Sequence, residues 1–283
     1  MDKISETSKL LIFTNVDDLF SNLEDPSYKL AISVVENLQK FKIPLVLVTT
    51  KTNAQIQHLR SDLGLSAPVI VEHGSGIAIS QENEEFKSSD LLVEKDWQFK
   101  QLGCSYVEAR AALKVIQSEV RINNFKGFGD LGVAEIERIA GFTEASIKQI
   151  KTRKFSEIFV TPKNVDPQEI VATAAEFGFK ALMGEKLSCL FGESASVASA
   201  IDWLKTNYAR SQSDSQITTV GLGCSPNDLE MLNAVDLPIV MSNSESFNQD
   251  WSRSEAIGLA GWVETITKIC AELWWLKLSQ FKQ

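Results

Sequence analysis

The run LIFTNVDDLF, Leu11 to Phe20, begins as an apolar stretch and ends abruptly in polar residues. Leu10–Thr14 reads as a short buried strand, with Asn15, Asp17 and Asp18 crowded at its carboxyl end. Open α/β sheets bind their ligands beyond such ends, so the residues downstream decide whether this is such a sheet. Ser27–Lys40 has helical spacing, with Leu30, Ile32, Val35 and Leu38 expected on its core face. IPLVLVTT (43–50) is apolar and β-branched, as in a parallel strand buried on both faces. KTNAQIQHLRSDLGL (51–65) predicts a helix closed by Gly64. PVIVEHGSGIAIS (68–80) predicts a strand, a glycine turn and a second strand. The order β-α-β-α-β predicts an α/β fold with a doubly wound, Rossmann-like parallel sheet. Thr49 then joins Asn15 and Asp17 at the strand ends.

The middle of the chain changes character. Gln81–Ser89 is polar and charged, as in a linker. Tyr106–Asn123 and Val133–Lys151 read as helical, and FSEIFVTP (155–162) as a strand. DPQEIVATAAEFGF (166–179) reads as a helix with Asp166 as its cap and Pro167 in its first turn. The sheet pattern resumes with a helix over 196–209, QITTVGLG (216–223) as a strand, a helix opened by SPNDLEMLNAV (225–235), and LPIVMSN (237–243) as a strand. A last helix is expected over Gly261–Leu278. The expected organisation is a core from 1–82 and 188–283, interrupted by an α/β module over 83–187.

Composition narrows the function. A net charge of −9 over 283 residues disfavours binding to nucleic acid or anionic membranes. The cysteines, Cys104, Cys189, Cys224 and Cys270, form no CxxC pair, so neither a zinc site nor a disulfide framework is expected. No apolar run approaches the roughly 20 residues of a membrane helix, and no signal peptide is visible, so a cytoplasmic location is expected without membrane insertion.

VLVTTKTNAQI (46–56), VEHGSGIAI (71–79), RKFSEIF (153–159), GLGCSPNDLEMLNAVDLPIVM (221–241) and GLAGW (258–262) resemble, in order and spacing, the haloacid-dehalogenase superfamily. Within it the chain is most similar to the mannosyl-3-phosphoglycerate phosphatases and related sugar-phosphate phosphatases, sucrose-phosphate phosphatases among them. The resemblance covers nearly the whole chain. It implies a Rossmann-like core with an inserted α/β cap. It implies an aspartate nucleophile at position 15, a proton-shuttling aspartate at Asp17, phosphate binding at Thr49 and a nearby Lys51, and magnesium ligands in the fourth motif at 224 and Asp228. It also implies a third-motif lysine near Val197, and substrate contacts from the cap segment holding Arg153, Ser156 and Glu157. Phosphoryl transfer is mostly positioning and charge neutralisation, which is why these groups are needed.

The sequence departs from that pattern. Asn15 stands at the nucleophile, and a neutral amide is a poor one. Cys224 replaces a hard oxygen ligand with a soft thiol. Ser196, Val197 and Ala198 bring no cation. The expected function is therefore that of a pseudophosphatase that binds a sugar phosphate, another anionic small molecule or a protein partner. No cofactor is expected beyond magnesium held weakly. An active magnesium-dependent sugar-phosphate phosphatase is the first alternative. A scaffold or assembly factor is the second, with Trp274 and Trp275 of the terminal helix as docking residues. Plainer readings stay open beside these: Asp17 as a turn residue, Thr49 as a strand end, Lys51 as a solvated lysine, Asp228 as a helix-start residue, and Trp274 and Trp275 as ordinary packing.

Overall fold

The computed structural model describes residues 9–22, 24–122, 125–242 and 246–280, without the side chains of 275–280. The first part of the chain forms β1 (Lys9–Asn15), α1 (Ser27–Lys40), β2 (Leu45–Val48), α2 (Asn53–Asp62), β3 (Val69–Val71), β4 (Gly76–Ser80), β5 (Leu92–Glu94) and β6 (Trp97–Gln101). The middle forms α3 (Tyr106–Glu119), α4 (Val133–Ala140), α5 (Glu144–Ile150), β7 (Ser156–Val160), α6 (Pro167–Glu176), β8 (Phe179–Leu182) and β9 (Leu187–Gly192). The last part forms α7 (Val197–Ser211), β10 (Ile217–Gly223), α8 (Leu229–Ala234), β11 (Leu237–Val240), β12 (Ser252–Arg253) and α9 (Gly258–Gln280).

The large sheet runs β12-β11-β10-β1-β2-β3-β4-β6-β5. From β12 to β3 every pair is parallel, while β4, β6 and β5 add on antiparallel. Strands β1 and β10 are buried almost throughout because helices cover both faces, which explains their unbroken apolar reading. The chain winds from β1 through β2 to β3 and later returns to the other side of β1 at β10. Strand order therefore reverses beside β1, which opens a crevice at the carboxyl ends of β1, β2 and β10.

Helix α1 differs in phase from its expected face. Tyr28, Ala31, Val34, Val35 and Leu38 are buried, and Leu30 is 57% exposed. The Tyr28 ring claims the first turn and meets Phe20 edge-on, which turns Leu30 outward. Helix α2 ends as expected. Thr52 caps it with a reciprocal Gln55 contact, and Gly64 follows it at φ +62°. Helix α9 anchors across the crevice floor, where buried Trp262 donates its indole N–H to Thr14 Oγ1 at 3.0 Å.

The second sheet is antiparallel, ordered β7-β9-β8, and carries α3 and α6 on one face. The boundaries expected at 82/83 and 187/188 both move. Strands β5 and β6 extend the large sheet, whereas β9 belongs to the small one. Strand β5 is exposed along its whole length, so it lacks the apolar signature that would have placed it in the core. The helical stretch 133–151 is two helices, α4 and α5, with Gly141 between them. Among the described residues no helix is long and apolar enough to cross a membrane.

Candidate active site

A cavity of about 400 Å³ opens at the strand ends, lined by Asn15, Thr49, His73, Lys180, Val197 and Asp228, among others. Cavities of about 550 and 590 Å³ lie elsewhere, beside Arg60 and beside Trp251, and hold none of these residues.

At the end of β2 the chain turns into α2, and its donors converge on one carboxylate. Asp17 accepts from Thr49 Oγ1 at 2.6 Å, from Thr50 N–H at 2.7 Å and from Thr50 Oγ1 at 2.7 Å. Lys51 Nζ lies 3.1 Å from the same carboxylate. Burial pushes the Asp17 pKa up, but Lys51 and the threonine hydrogen bonds outweigh it, so the carboxyl titrates below its usual range. Asn15 shapes this loop, since its side-chain oxygen accepts the Asp17 backbone N–H at 2.8 Å.

The corner between β1 and β10 is built differently. Asp228 is 1% exposed, and its Oδ2 accepts the backbone N–H groups of Cys224 at 2.7 Å and Ser225 at 2.9 Å. Its Oδ1 is buried without a hydrogen-bond partner. Burial raises the Asp228 pKa, with a further push from Asp18, against the two N–H donors and the Asn15 amide that faces it. The Cys224 thiol is pushed up to about 12 by burial, Asp228 and Asp18.

Magnesium does not fit this donor set. It takes hard oxygen ligands. The Asn15 oxygen is engaged by Asp17, Cys224 offers a protonated sulfur, and Asp17 is committed to its cradle. That leaves the unpartnered Asp228 oxygen and the exposed Asp18 near it, too few carboxylates to form a ligand cluster. Among the described residues no group of His, Cys, Asp and Glu is arranged to hold a metal.

The small sheet reaches the site through the turn after β3. Glu72, His73 and Gly74 follow one another at φ +52°, +60° and +78°. The left-handed run is strained for the first two, and only glycine fits at 74, where a Cβ would lie 2.5 Å from the Val197 nitrogen. The turn is held by what it grips. Glu72, 2% exposed, accepts from Lys154 N–H at 2.9 Å, Phe155 N–H at 3.1 Å and Ser156 Oγ at 2.6 Å. His73 stacks flat on Phe191 of β9, with ring centroids 5.1 Å apart. Burial and Arg153 depress its pKa to about 4, against the pull of Asp17, so the ring is neutral at pH 7.

The expected site residues thus divide. Asn15, Asp17, Thr49, Lys51, Cys224 and Asp228 gather at the strand ends. Arg153 adjoins them, with its guanidinium donating to the Thr50 carbonyl at 3.3 and 3.4 Å and to Ser156 Oγ at 2.9 Å. Ser156 is spent on Glu72 and Arg153 rather than turned to the cavity. Glu157 is displaced from its expected role. Strand alternation points it to the opposite face of β7, where it is buried beside Arg110 and Tyr106 of α3. Trp274 is 58% exposed on α9. The Trp275 side chain lies outside the described residues. Sequence reasoning passed over His73, Lys180 and Glu230. Only His73, a non-glycine residue inside a tight turn motif, carried a readable signal.

The family model of haloacid dehalogenase-like hydrolases matches residues 12–247, which include all three strand ends. The chain belongs to this family. A glucosyl-3-phosphoglycerate/mannosyl-3-phosphoglycerate phosphatase of Persephonella marina is 32% identical over 93% of this chain and 98% of its own length. The protein of the same name from Methanococcoides burtonii is 26% identical over 91% of this chain and 96% of its own. The structure of a haloacid dehalogenase-like hydrolase from Bacteroides thetaiotaomicron superposes with a TM-score of 0.60 at 15% identity, covering 93% of this chain and all of the other. The haloacid dehalogenase fold, with its mostly parallel central sheet, is therefore the fold of this chain.

Proposed function

We propose that this chain takes a phosphorylated sugar or sugar acid into the strand-end cavity, in the class of the glycosyl phosphoglycerates named for its relatives. The observation that carries the reading is the cradle at the end of β2. Its hydroxyl, amide and ammonium donors already hold an anionic group, the Asp17 carboxylate, at 2.6 to 3.1 Å. A phosphate oxygen makes the same demands on these donors and replaces the carboxylate when Asp17 turns away.

The relatives favour an active phosphatase over the loss of activity expected from the sequence. Turnover here cannot run through an aspartyl-phosphate, because the Asn15 amide is not a nucleophile at neutral pH. The route left to these residues is direct attack by water. Asp17, ionised, accepts a proton from water as the new O–P bond forms. The P–O ester bond breaks on the side opposite the incoming water, and the departing sugar oxygen takes its proton from solvent. With no carboxylate nucleophile and a single base, such turnover is slow.

A second reading, binding without turnover, is favoured by the corner, where Asn15 and Cys224 stand in place of carboxylates. Phosphate release from mannosyl-3-phosphoglycerate separates the two, measured on this chain and on Asp17→Asn. Release that disappears in the variant supports the active reading. Release no greater than the variant's leaves binding alone.

A further inference from the structure

The motif position at Val197 brings no cation, yet a phosphate dianion in this cavity calls for one beyond Lys51. The wall already carries Asp228 and Glu230. Glu230 Oε1 accepts from Ser196 Oγ at 2.7 Å and from Ala198 N–H at 3.3 Å, so the start of α7 is taken by a carboxylate as well. Like charges this close repel an incoming anion unless a positive group offsets them. Lys51, released when the phosphate replaces Asp17 in the cradle, offsets only one charge of a dianion, and Arg153 is directed to the Thr50 carbonyl, Ser156 and Glu72.

Lys180 remains. It lies on β8, an edge strand of the small sheet. Its neighbour Ala181 is buried against Ile170 and Ala174 of α6. Alternation along the strand turns Lys180 and Leu182 to the opposite face, and both line the cavity. Lys180 sits opposite Phe191, the ring that stacks on His73. Its Nζ donates to the Ala195 carbonyl at 3.3 Å, two residues before Val197. A carbonyl is a modest partner for an ammonium, and three N–H donors on one nitrogen leave capacity for a ligand.

We infer that Lys180 supplies, from the inserted module, the phosphate-facing cation that the third motif lacks at Val197. The inference rests on the sugar-phosphate reading above. The ligand phosphate lies between the Lys180 ammonium and the Thr49 and Thr50 donors, and its charge is met by a residue of the small sheet rather than by α7.

Calorimetric titration with mannosyl-3-phosphoglycerate at low salt tests this on the full chain and on Lys180→Ala, Lys180→Arg, and Lys180→Ala combined with Val197→Lys. Losing one charge-assisted contact is expected to weaken binding about tenfold or more in Lys180→Ala. Lys180→Arg retains most of the affinity, and the added Val197→Lys recovers it by returning the charge to α7. Thermal unfolding of Lys180→Ala stays as in the parent, because the side chain is exposed. Unchanged affinity in Lys180→Ala overturns the inference and leaves the sugar-phosphate reading standing. Absence of binding by the parent chain overturns that reading, and this inference with it.

Discussion

Asp17, just beyond β1, and Asp228, just beyond β10, stand at the ends of paired strands and meet opposite surroundings. Asp17 is met by hydroxyls, an amide and an ammonium, and its pKa falls. Asp228 has two backbone amide donors on one oxygen and no formed hydrogen bond on the other, where only the Asn15 amide faces the carboxyl, and its pKa rises. The first arrangement is what an anion site looks like when it is complete. The second is an acceptor whose counterpart is missing. The two can diverge because they draw on different elements: the cradle on the β2–α2 turn, the corner on the β1 and β10 ends. An amide at 15 and a thiol at 224 therefore leave the corner poorer in hard donors, while the cradle keeps its own.

The sharpest way to break this comparison is to refill the corner. Asn15→Asp, Cys224→Asp and Val197→Lys together should raise magnesium-dependent phosphate release by about a thousandfold, since they return a nucleophile, a hard ligand and a cation. A steady-state phosphate assay with and without magnesium checks this. No gain would mean that more than these side chains separates the two regions.

The wall between them gives the next effect. The His73 pKa falls from 6.5 to about 4 on folding, so the unfolded chain takes up the proton first as pH drops. Its contribution to stability is complete above about pH 6.5 and is lost progressively down to about pH 4, a swing of about 3 kcal/mol. In His73→Asn, which tolerates the positive φ, urea midpoints should change much less between pH 7 and pH 4.

Asp17→Asn should cost about 1–3 kcal/mol at pH 7 by leaving Lys51 and the Thr49 hydroxyl poorly matched. The folded pKa is below the usual 3.8, so this stability exists above pH 3.8 and is lost as pH falls through the lower folded value. The gap between parent and variant in denaturant titrations should close there.

Asp228→Asn should do the reverse on a smaller scale. A carboxyl with a raised folded pKa costs stability when charged, so removing the charge stabilises at pH 7, by about 1 kcal/mol or less, and has no effect well below pH 3.8. A destabilised Asp228→Asn at neutral pH would show that the corner is not short of a partner.

Much of this was legible in the sequence. Unbroken apolar runs before polar clusters marked β1 and β2, and Gly64 marked the end of α2. Asn15 and Cys224 could be read as missing carboxylates from their places in the motifs. Other features were not legible, for physical reasons. Strand β5 is exposed on both faces and has no periodicity to read. Leu30 was misplaced because one aromatic ring, Tyr28, set the phase of α1. Lys180 sits on an edge strand of the other sheet, and only the packing of that sheet against the segment before α7, at Ala195, brings it to the cavity. Glu157 belonged to the right segment but faces away, since a strand turns neighbouring side chains to opposite sides.

The most direct test of the account is calorimetric binding of mannosyl-3-phosphoglycerate to the full chain in the presence of a chelator. The cradle predicts saturable binding that is unchanged when magnesium replaces the chelator and is weakened in Thr49→Ala. No binding, or binding that appears only with magnesium, would contradict it.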